Sequence, residues 1–444
     1  MVAMKLTTAA LLSSISIVQG YKPQRPSKAT PLDKITPSIH TPASSSLSSS
    51  DNAPSYRKEL VALHKSLVEI PSVTYTENAV GNFLVEYLTS HDFVAELEFP
   101  PPPNASDAGD AGDGKPRFNV LAWPGPKHHP SPKVLVTSHI DTVPPHIPYS
   151  RSDGELTSDT VIAGRGSVDA KASVAAQIIA VSELLKSKKI EKGDVMLLYV
   201  VGEERSGDGM RYFSDTLSHL DPPPNLRAAI FGEPTEGKLA CGHKGFFGCT
   251  ITAHGKAGHS GYPWLGKSAT ELLIRGLVKV LDSDLGSSEG FGNTTVNVGH
   301  IEGGVALNVI PEVAVAKIAG RVAIGPENDG GKIVVGRVLD LLKSVDEDAF
   351  DVECNNGYGV VECACDVPDF ETITVNYGTD VANLKGSHTR YLYGPGSILV
   401  AHGADEAIRL GDLEAGVEDF KRLILHALPH DDDDDADGND VGEL

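Results

Sequence analysis

A chain of 444 residues is larger than a single hydrophobic core usually serves, and about two folded domains with tails are expected. Hydrophobic residues at 40%, charged residues at 22% and 45 glycines match a turn-rich globular protein. The formal net charge of -22 argues against a nucleic-acid partner, because a phosphate backbone demands Lys and Arg.

Residues 1–20, "MVAMKLTTAALLSSISIVQG", carry Lys5, an apolar stretch from Leu6, and Val18 and Gly20 where a signal peptidase prefers small residues. The apolar stretch is too short to span a bilayer. It predicts a signal peptide, export and a secreted, extracellular protein. Residues 21–54 turn to Ser, Pro and Thr, which cannot bury a core and read as a linker or pro-segment. Folding signals follow. "YRKELVALHKSLVEI" places Leu60, Leu63, Leu67 and Ile70 on one helical face ahead of Pro71. "TENAVGNFLVEYLTSH" starts on the cap-like Thr76 and carries Val80, Leu84 and Leu88. Pro100 to Pro116 form an exposed loop, after which short apolar runs alternate with helical patterns, as in an α/β domain built on a largely parallel sheet.

From Gly248 the order becomes strand-helix-strand-strand-helix-strand, a split βαβ pattern of ferredoxin-like type. The run "GSILVAH" (396–402) resumes the earlier buried-strand style, so the second pattern is an insertion. The expected organisation is a catalytic domain in two parts, 55–247 and 366–430, around an inserted lid or dimerisation domain, 248–365. Residues 431–444 form an acidic run that reads as a solvated, disordered tail.

Five cysteines leave at least one thiol unpaired unless chains cross-link, and none has zinc-ribbon spacing. Cys363-x-Cys365 beside Cys354 predicts at most a local disulfide. Asn104 and Asn293 head N-x-S/T sequons and are glycosylation candidates on a eukaryotic secretory route.

The ends of the apolar runs carry the chemistry. "VLVTSH" closes at His139, "VMLLYVVGEE" at Glu203 and Glu204, "AAIFGEP" at Glu233 and "SILVAH" at His402, while "AGRGSVDAKAS" delivers Asp169 just ahead of a helix. Open α/β sheets bind ligands outside the carboxyl ends of their strands, which places these groups together. Two histidines and three carboxylates suffice for two divalent ions when one carboxylate bridges them. Zinc suits that donor set, and cobalt or manganese could occupy it.

The motifs "SHIDTVPP", "GRGSVDAKAS", "VVGEERSG", "FGEPT", "GKAGHSGYP", "EGGVALNVIPE" and "GPGSILVAHGADEAI" resemble, in order and spacing, the di-zinc metallopeptidase family of acetylornithine deacetylase, succinyl-diaminopimelate desuccinylase, aminoacylase and glutamate carboxypeptidase. The exported, Ser/Pro-led form is similar to secreted fungal members described as carboxypeptidases. The resemblance implies two zinc ions per subunit, one on His139, Asp169 and Glu233 and one on Asp169, Glu204 and His402. It implies Glu203 as catalytic base, and Asp141 as the carboxylate that orients the His139 ring. His259 is implied as oxyanion donor, often reaching a partner subunit's site. Arg321 and Asn308, with backbone amides near Gly396, are implied to bind the substrate's free carboxylate.

The leading expectation is a zinc exopeptidase acting on short peptides, as a monomer or as a homodimer through the lid. An N-acyl-amino-acid amidohydrolase with the same chemistry is the alternative, mildly favoured by Glu233, where peptide-cleaving members often have aspartate. A non-catalytic binding protein on the same scaffold requires a lost ligand or base, and none is lost.

Overall fold

The computed structural model describes residues 53–428 except 103–111, 126–131, 221–222 and 356. The expected signal peptide, nearly all of the Ser/Pro-rich segment, the Asn104 sequon and the acidic run 431–444 lie outside the described residues.

Leu60, Leu63 and Leu67 form the buried stripe of α1 (Arg57–Glu69), which stops ahead of Pro71. Val80, Leu84 and Leu88 do the same for α2 (Asn78–Ser90). Thr76 is not its cap: the hydroxyl donates to the Val73 carbonyl (2.6 Å), and Glu77 takes the cap position. The chain then lays down β1 (Phe93–Glu98), β2 (Asn119–Pro124), β3 (Val134–His139), α3 (Lys171–Lys186), β4 (Val195–Val200), α4 (Asp208–Thr216), β5 (Ala228–Gly232) and β6 (Leu239–His243). A second unit follows as β7 (Gly245–His254), α5 (Ala269–Leu281), β8 (Thr295–Gly303), β9 (Val313–Val322), α6 (Gly330–Lys343) and β10 (Phe350–Cys354). The chain returns through β11 (Val361–Glu362), β12 (Thr372–Val375), β13 (Thr389–Tyr393) and α7 (Leu410–Ala427).

The large sheet runs β1-β2-β4-β3-β5-β13-β6-β11, with β12 beside β6. Its centre, β4-β3-β5-β13, is parallel. Every residue of β3, β4 and β5 is buried, which is why these strands read as continuous apolar runs. Helices α1, α2, α3 and α7 cover one face, and Met210 and Phe213 of α4 pack on the other. The register sets His139 opposite Val200 and Ser138 opposite Gly232. The residues that follow β4 and β5 therefore leave the sheet beside His139.

The small sheet, β8-β9-β7-β10, is antiparallel throughout, and α5 and α6 bury one face of it around Phe247, Ile251, Leu273, Leu277, Val334 and Val338. Strand order and connections are those of the expected ferredoxin-like unit. Its paired strands run from 245 to 354, and Val361–Glu362 already pair with β6, ahead of the 366 read from sequence.

Two sequence readings are overturned. "SILVAH" is a series of turns: Leu399 is 86% exposed, and the parallel strand of this region is "TRYLY", β13. The expected local disulfide is replaced by two long-range ones, Cys241–Cys365 and Cys249–Cys354, spanning 124 and 105 residues, with Cys363 free. Cys249 and Cys354 stand opposite each other on β7 and β10, a proximity that only the fold creates.

His64 of α1 is fully buried, with Nε2 3.0 Å from the Ser167 carbonyl. Burial lowers its pKa to about 4. An unfolded histidine protonates near pH 6.5, so between those values the unfolded chain binds the extra proton and stability falls as pH drops. His64→Phe is expected to remove about 3 kcal/mol of the loss of unfolding free energy between pH 7 and pH 4. Denaturant melts at both pH values check this; an unchanged pH slope in the variant refutes it.

Candidate active site

At the carboxyl edge of the large sheet, His139 at the end of β3, Glu204 after β4, Glu233 after β5, and Asp169 and His402 on loops bring their donor atoms together. Nε2 of His139 lies 3.1 Å from Asp169 Oδ1 and 3.7 Å from Glu233 Oε2. Nε2 of His402 lies 3.2 Å from Asp169 Oδ2 and 3.1 Å from Glu204 Oε2. Two groups capable of holding a metal ion result, His139-Asp169-Glu233 and Asp169-Glu204-His402, sharing Asp169.

The donor chemistry fits a cation. Nδ1 of His139 is 3.0 Å from the main-chain carbonyl of Asp141, and a carbonyl can only accept, so Nδ1 carries the proton and Nε2 presents a lone pair. That lone pair faces two carboxylate oxygens in a buried pocket. Three acceptors without a proton between them repel unless the ring is protonated or a metal ion takes all three. Burial is the main cause that raises Glu233 to about 7; hydrogen bonds to the carboxylates of Asp169 and Glu204 raise the His402 ring to about 10, and against the opposing effect of burial the His139 and His402 rings hold Asp169 well below its usual range. A divalent ion relieves the same strain of charge.

The Asp141 carboxylate lies 3.6 Å from His139 Nδ1 and also accepts from the backbone N–H groups of Glu203 (3.1 Å) and Glu204 (3.2 Å) and from the Thr74 hydroxyl (2.8 Å). Carbonyl and carboxylate both face the ring nitrogen, and the carboxylate fixes the turn that carries Glu203 and Glu204. Glu203 opens onto the same cleft, and burial, then Glu233, push its carboxyl well above the usual range.

A buried ion pair ties the loops together. Arg165 Nη1 donates to Glu406 Oε2 (2.6 Å) and to the Gly403 carbonyl (3.2 Å), and Nη2 donates to the His402 carbonyl (3.2 Å). Glu406 Oε1 accepts from the N–H groups of Val168 (3.0 Å) and Asp169 (3.2 Å). Lys171, two residues past Asp169, donates to the Leu67 (2.8 Å) and Ile70 (2.9 Å) carbonyls at the end of α1, satisfying helix-terminal acceptors.

The cleft above the donors, about 690 Å³, is lined by Asp169, Glu203, Glu204, Glu233, His402 and Arg321, and His139 joins them through the donor group it forms with Asp169 and Glu233. His259, Asn308 and Gly396 do not line it. His259 sits on a short strand paired with Val309–Ile310, where its Nδ1 accepts from Gly261 N–H (3.0 Å) and its ring meets Tyr262 edge-on. Asn308 is next to it, its carbonyl accepting from Ser260 N–H (3.0 Å). Gly396 has φ +84° and forms a turn whose carbonyl accepts from Glu236 N–H (2.9 Å). Asn293 is exposed beside Gly292.

Sequence reasoning missed Asp380, which is buried against His139 and Glu233 in a small adjoining cavity, and Arg205, Arg211, Tyr358 and Tyr377 in the cleft wall. Asp380 follows no apolar strand, so the pattern that found the other acids had nothing to report.

Residues 135–426 match the family model described as peptidase family M20/M25/M40. The chain belongs to this family. It is 57% identical over 394 residues to an M20 domain-containing protein of Sordaria macrospora, covering 85% of this chain and 87% of that one. It is 42% identical over 453 residues to a probable carboxypeptidase of Aspergillus fumigatus, covering 96% and 99%. The fold is shared with an M20 family metallo-carboxypeptidase from Sulfolobus solfataricus at 16% identity and a TM-score of 0.61, covering 83% of this chain and 99% of that one. Membership makes this chain a metal-dependent peptidase by family, and the donor groups above are capable of holding a metal ion.

In this M20 peptidase, Glu406→Gln puts an NH2 group in a pocket that Arg165 or two backbone N–H groups fill with donors. Metal affinity, read by competition with a chromophoric chelator, is expected to fall about 10- to 100-fold while the circular-dichroism spectrum is kept. Unchanged affinity would show that the Arg165–Glu406 pair does not position the donors.

Proposed function

We propose that this M20 peptidase is an exported carboxypeptidase that uses two zinc ions to hydrolyse the last peptide bond of short peptides. The observation that carries the reading is the pair of donor groups sharing Asp169 with Glu203 at their rim. Each group has one imidazole and two carboxylates and no thiolate, a set that suits zinc. His139, Asp169 and Glu233 would hold one ion, and Asp169, Glu204 and His402 the other. Ions bound there would acidify a water and polarise the scissile carbonyl.

The remaining steps belong to the chain. Glu203, its backbone fixed by Asp141, takes a proton from the attacking water at its carboxylate. Burial raises its proton affinity, so it holds that proton long enough to deliver it to the leaving amine. Arg321, exposed in the cleft and stacked over Phe246 at 5.5 Å, receives the free carboxylate of the substrate. The name "probable carboxypeptidase" on the Aspergillus fumigatus relative agrees with an arginine at that place.

His259 is read as an oxyanion donor supplied by a second copy. Among the described residues the outer strand β8 has an unpaired edge, and Ile301 on it and Val305 and Leu307 after it are 56%, 88% and 105% exposed. An exposed apolar edge of this kind favours pairing of two small sheets across a two-fold axis. The export reading draws on the expected signal peptide and on the two disulfides, which persist in oxidising compartments.

Chelation is expected to abolish hydrolysis of N-blocked dipeptides and zinc to restore it. Glu203→Gln should lose about a thousandfold or more in kcat while still binding metal. Turnover of N-acetyl amino acids well above that of dipeptides would move the protein to the amidohydrolase class, and comparable turnover in Glu203→Gln would remove that residue from the chemistry. Mixing inactive His259→Ala and Glu203→Gln subunits should regain about a quarter of wild-type activity if His259 acts across a dimer; no recovery after subunit exchange rejects the trans assignment.

A further inference from the structure

The acids lining the cleft are Asp169, Glu203, Glu204 and Glu233, all of them taken by the metal donors or the base. The other charged lining residues besides His402 are Arg205, Arg211 and Arg321. In a chain of formal net charge -22, three exposed arginines face one cleft whose four carboxylates are already assigned to the metal donors and the base. None of them makes an ion pair among the described residues. One arginine suffices for the terminal carboxylate of a peptide, and Arg321 is assigned to it.

Arg211 is held differently from a surface arginine. It lies in the first turn of α4, a few residues past Glu203 and Glu204. Its Nε donates to Asn383 Oδ1 (2.9 Å), and Asn383 Nδ2 donates in turn to Asp380 Oδ1 (2.7 Å). The amide fixes the plane of the guanidinium through one nitrogen and leaves its two terminal nitrogens directed to no carboxylate. That is the arrangement of a fork prepared for an external anion. Arg211 and Arg321 line the same cleft, together with Tyr358. At Gly378 a β-carbon would meet the Tyr358 hydroxyl and lie 3.5 Å from Arg321 Nη1, so the glycine admits the tyrosine and the arginine to the same floor.

We infer that Arg211 forms a second carboxylate subsite in this cleft and that the preferred substrates are peptides ending in glutamate or aspartate. The inference rests on the carboxypeptidase reading and names its substrate class. The terminal carboxylate pairs with Arg321 and the side-chain carboxylate with the Nη atoms of Arg211. Arg205, on the same turn as the metal donors, adds to the field that attracts a doubly charged end group.

Glutamate and glutamine have nearly the same shape and differ in charge, so they isolate the subsite. For zinc-loaded protein, kcat/KM for benzyloxycarbonyl-Ala-Glu is expected to exceed that for benzyloxycarbonyl-Ala-Gln by about tenfold or more. Arg211→Met should bring the ratio to about one, chiefly by slowing the glutamate-ended peptide, and Arg211→Lys should keep the order. Calorimetry with free L-glutamate and L-glutamine reads the same subsite without turnover, and the preference for glutamate should vanish in Arg211→Met. Equal rates and affinities for the two end groups in the wild type, or a preference that survives in Arg211→Met, overturn the inference. Absence of peptide cleavage together with an Arg211-dependent preference for glutamate would reject the carboxypeptidase reading and leave the anion subsite standing.

Discussion

Everything at the edge of the large sheet answers to one constraint: lone pairs on His139, Asp169, Glu204, Glu233 and His402 converge in a pocket partly closed to water with no donor proton to share. A folded chain tolerates such a cluster only if a positive charge compensates it or the backbone is held against the repulsion. The protein is built for both. The acceptor set can take divalent cations, and the loops that carry it are tied down one by one. Glu406 accepts two backbone N–H groups at Asp169, Arg165 grips the His402 loop, and Asp141 pins the turn of Glu203 and Glu204.

This tying explains why fully buried charged residues cluster behind the site. Arg165 is 2% and Glu406 1% exposed. Removing two ions from water is costly, and a buried pair is weak evidence for stability. Here the pair spans 241 residues of sequence and joins two loops that the sheet alone does not fix in register. Hydrophobic contact has no directional preference and cannot set the separation of two metal donors to a few tenths of an ångström; hydrogen bonds to particular N–H and C=O groups can. The disulfides act in the other unit and at its junction, where a small antiparallel sheet with one covered face has less apolar area to bury.

Much of this was legible in the sequence because parallel central strands are buried on both faces. A run such as "VLVTSH" has no polar residue until it reaches the edge, so the first imidazole or carboxylate marks the strand's end and its place in the site. The rule located His139, Glu203, Glu204 and Glu233. For His402 it reached the right residue through the wrong element, because "SILVAH" has the composition of a strand but lies on the cleft rim as turns, with "TRYLY" taking the fourth parallel position. Pairing of Cys241 with Cys365 was not legible, since partners 124 residues apart are joined by topology and leave no local trace. Side-chain roles behind the site were equally hidden: that the Asp141 carboxylate also accepts the N–H groups of Glu203 and Glu204 depends on how two strand ends meet.

The segment "GEERSGDGMR" concentrates these demands. Within ten residues it supplies the candidate base, a metal donor, two cleft arginines and the first turn of α4. Gly207 makes this possible: at φ +62°, a region that side chains seldom enter, it lets Asn383 and Asp380 approach the backbone closely. Asn383 can then bond Arg211. The distance between the hydrolytic centre and Arg211 is thus set by one short turn and one helix turn, not by a mobile loop. Under the proposed binding mode, a spacing of that kind would discriminate by length as well as by charge, because a side-chain carboxylate would reach the fork only while its terminal carboxylate stays on Arg321. In that mode both arginines would hold a substrate in the one orientation that puts its last amide against the metal donors, so selection of the end group and placement of the reacting bond would follow from the same geometry.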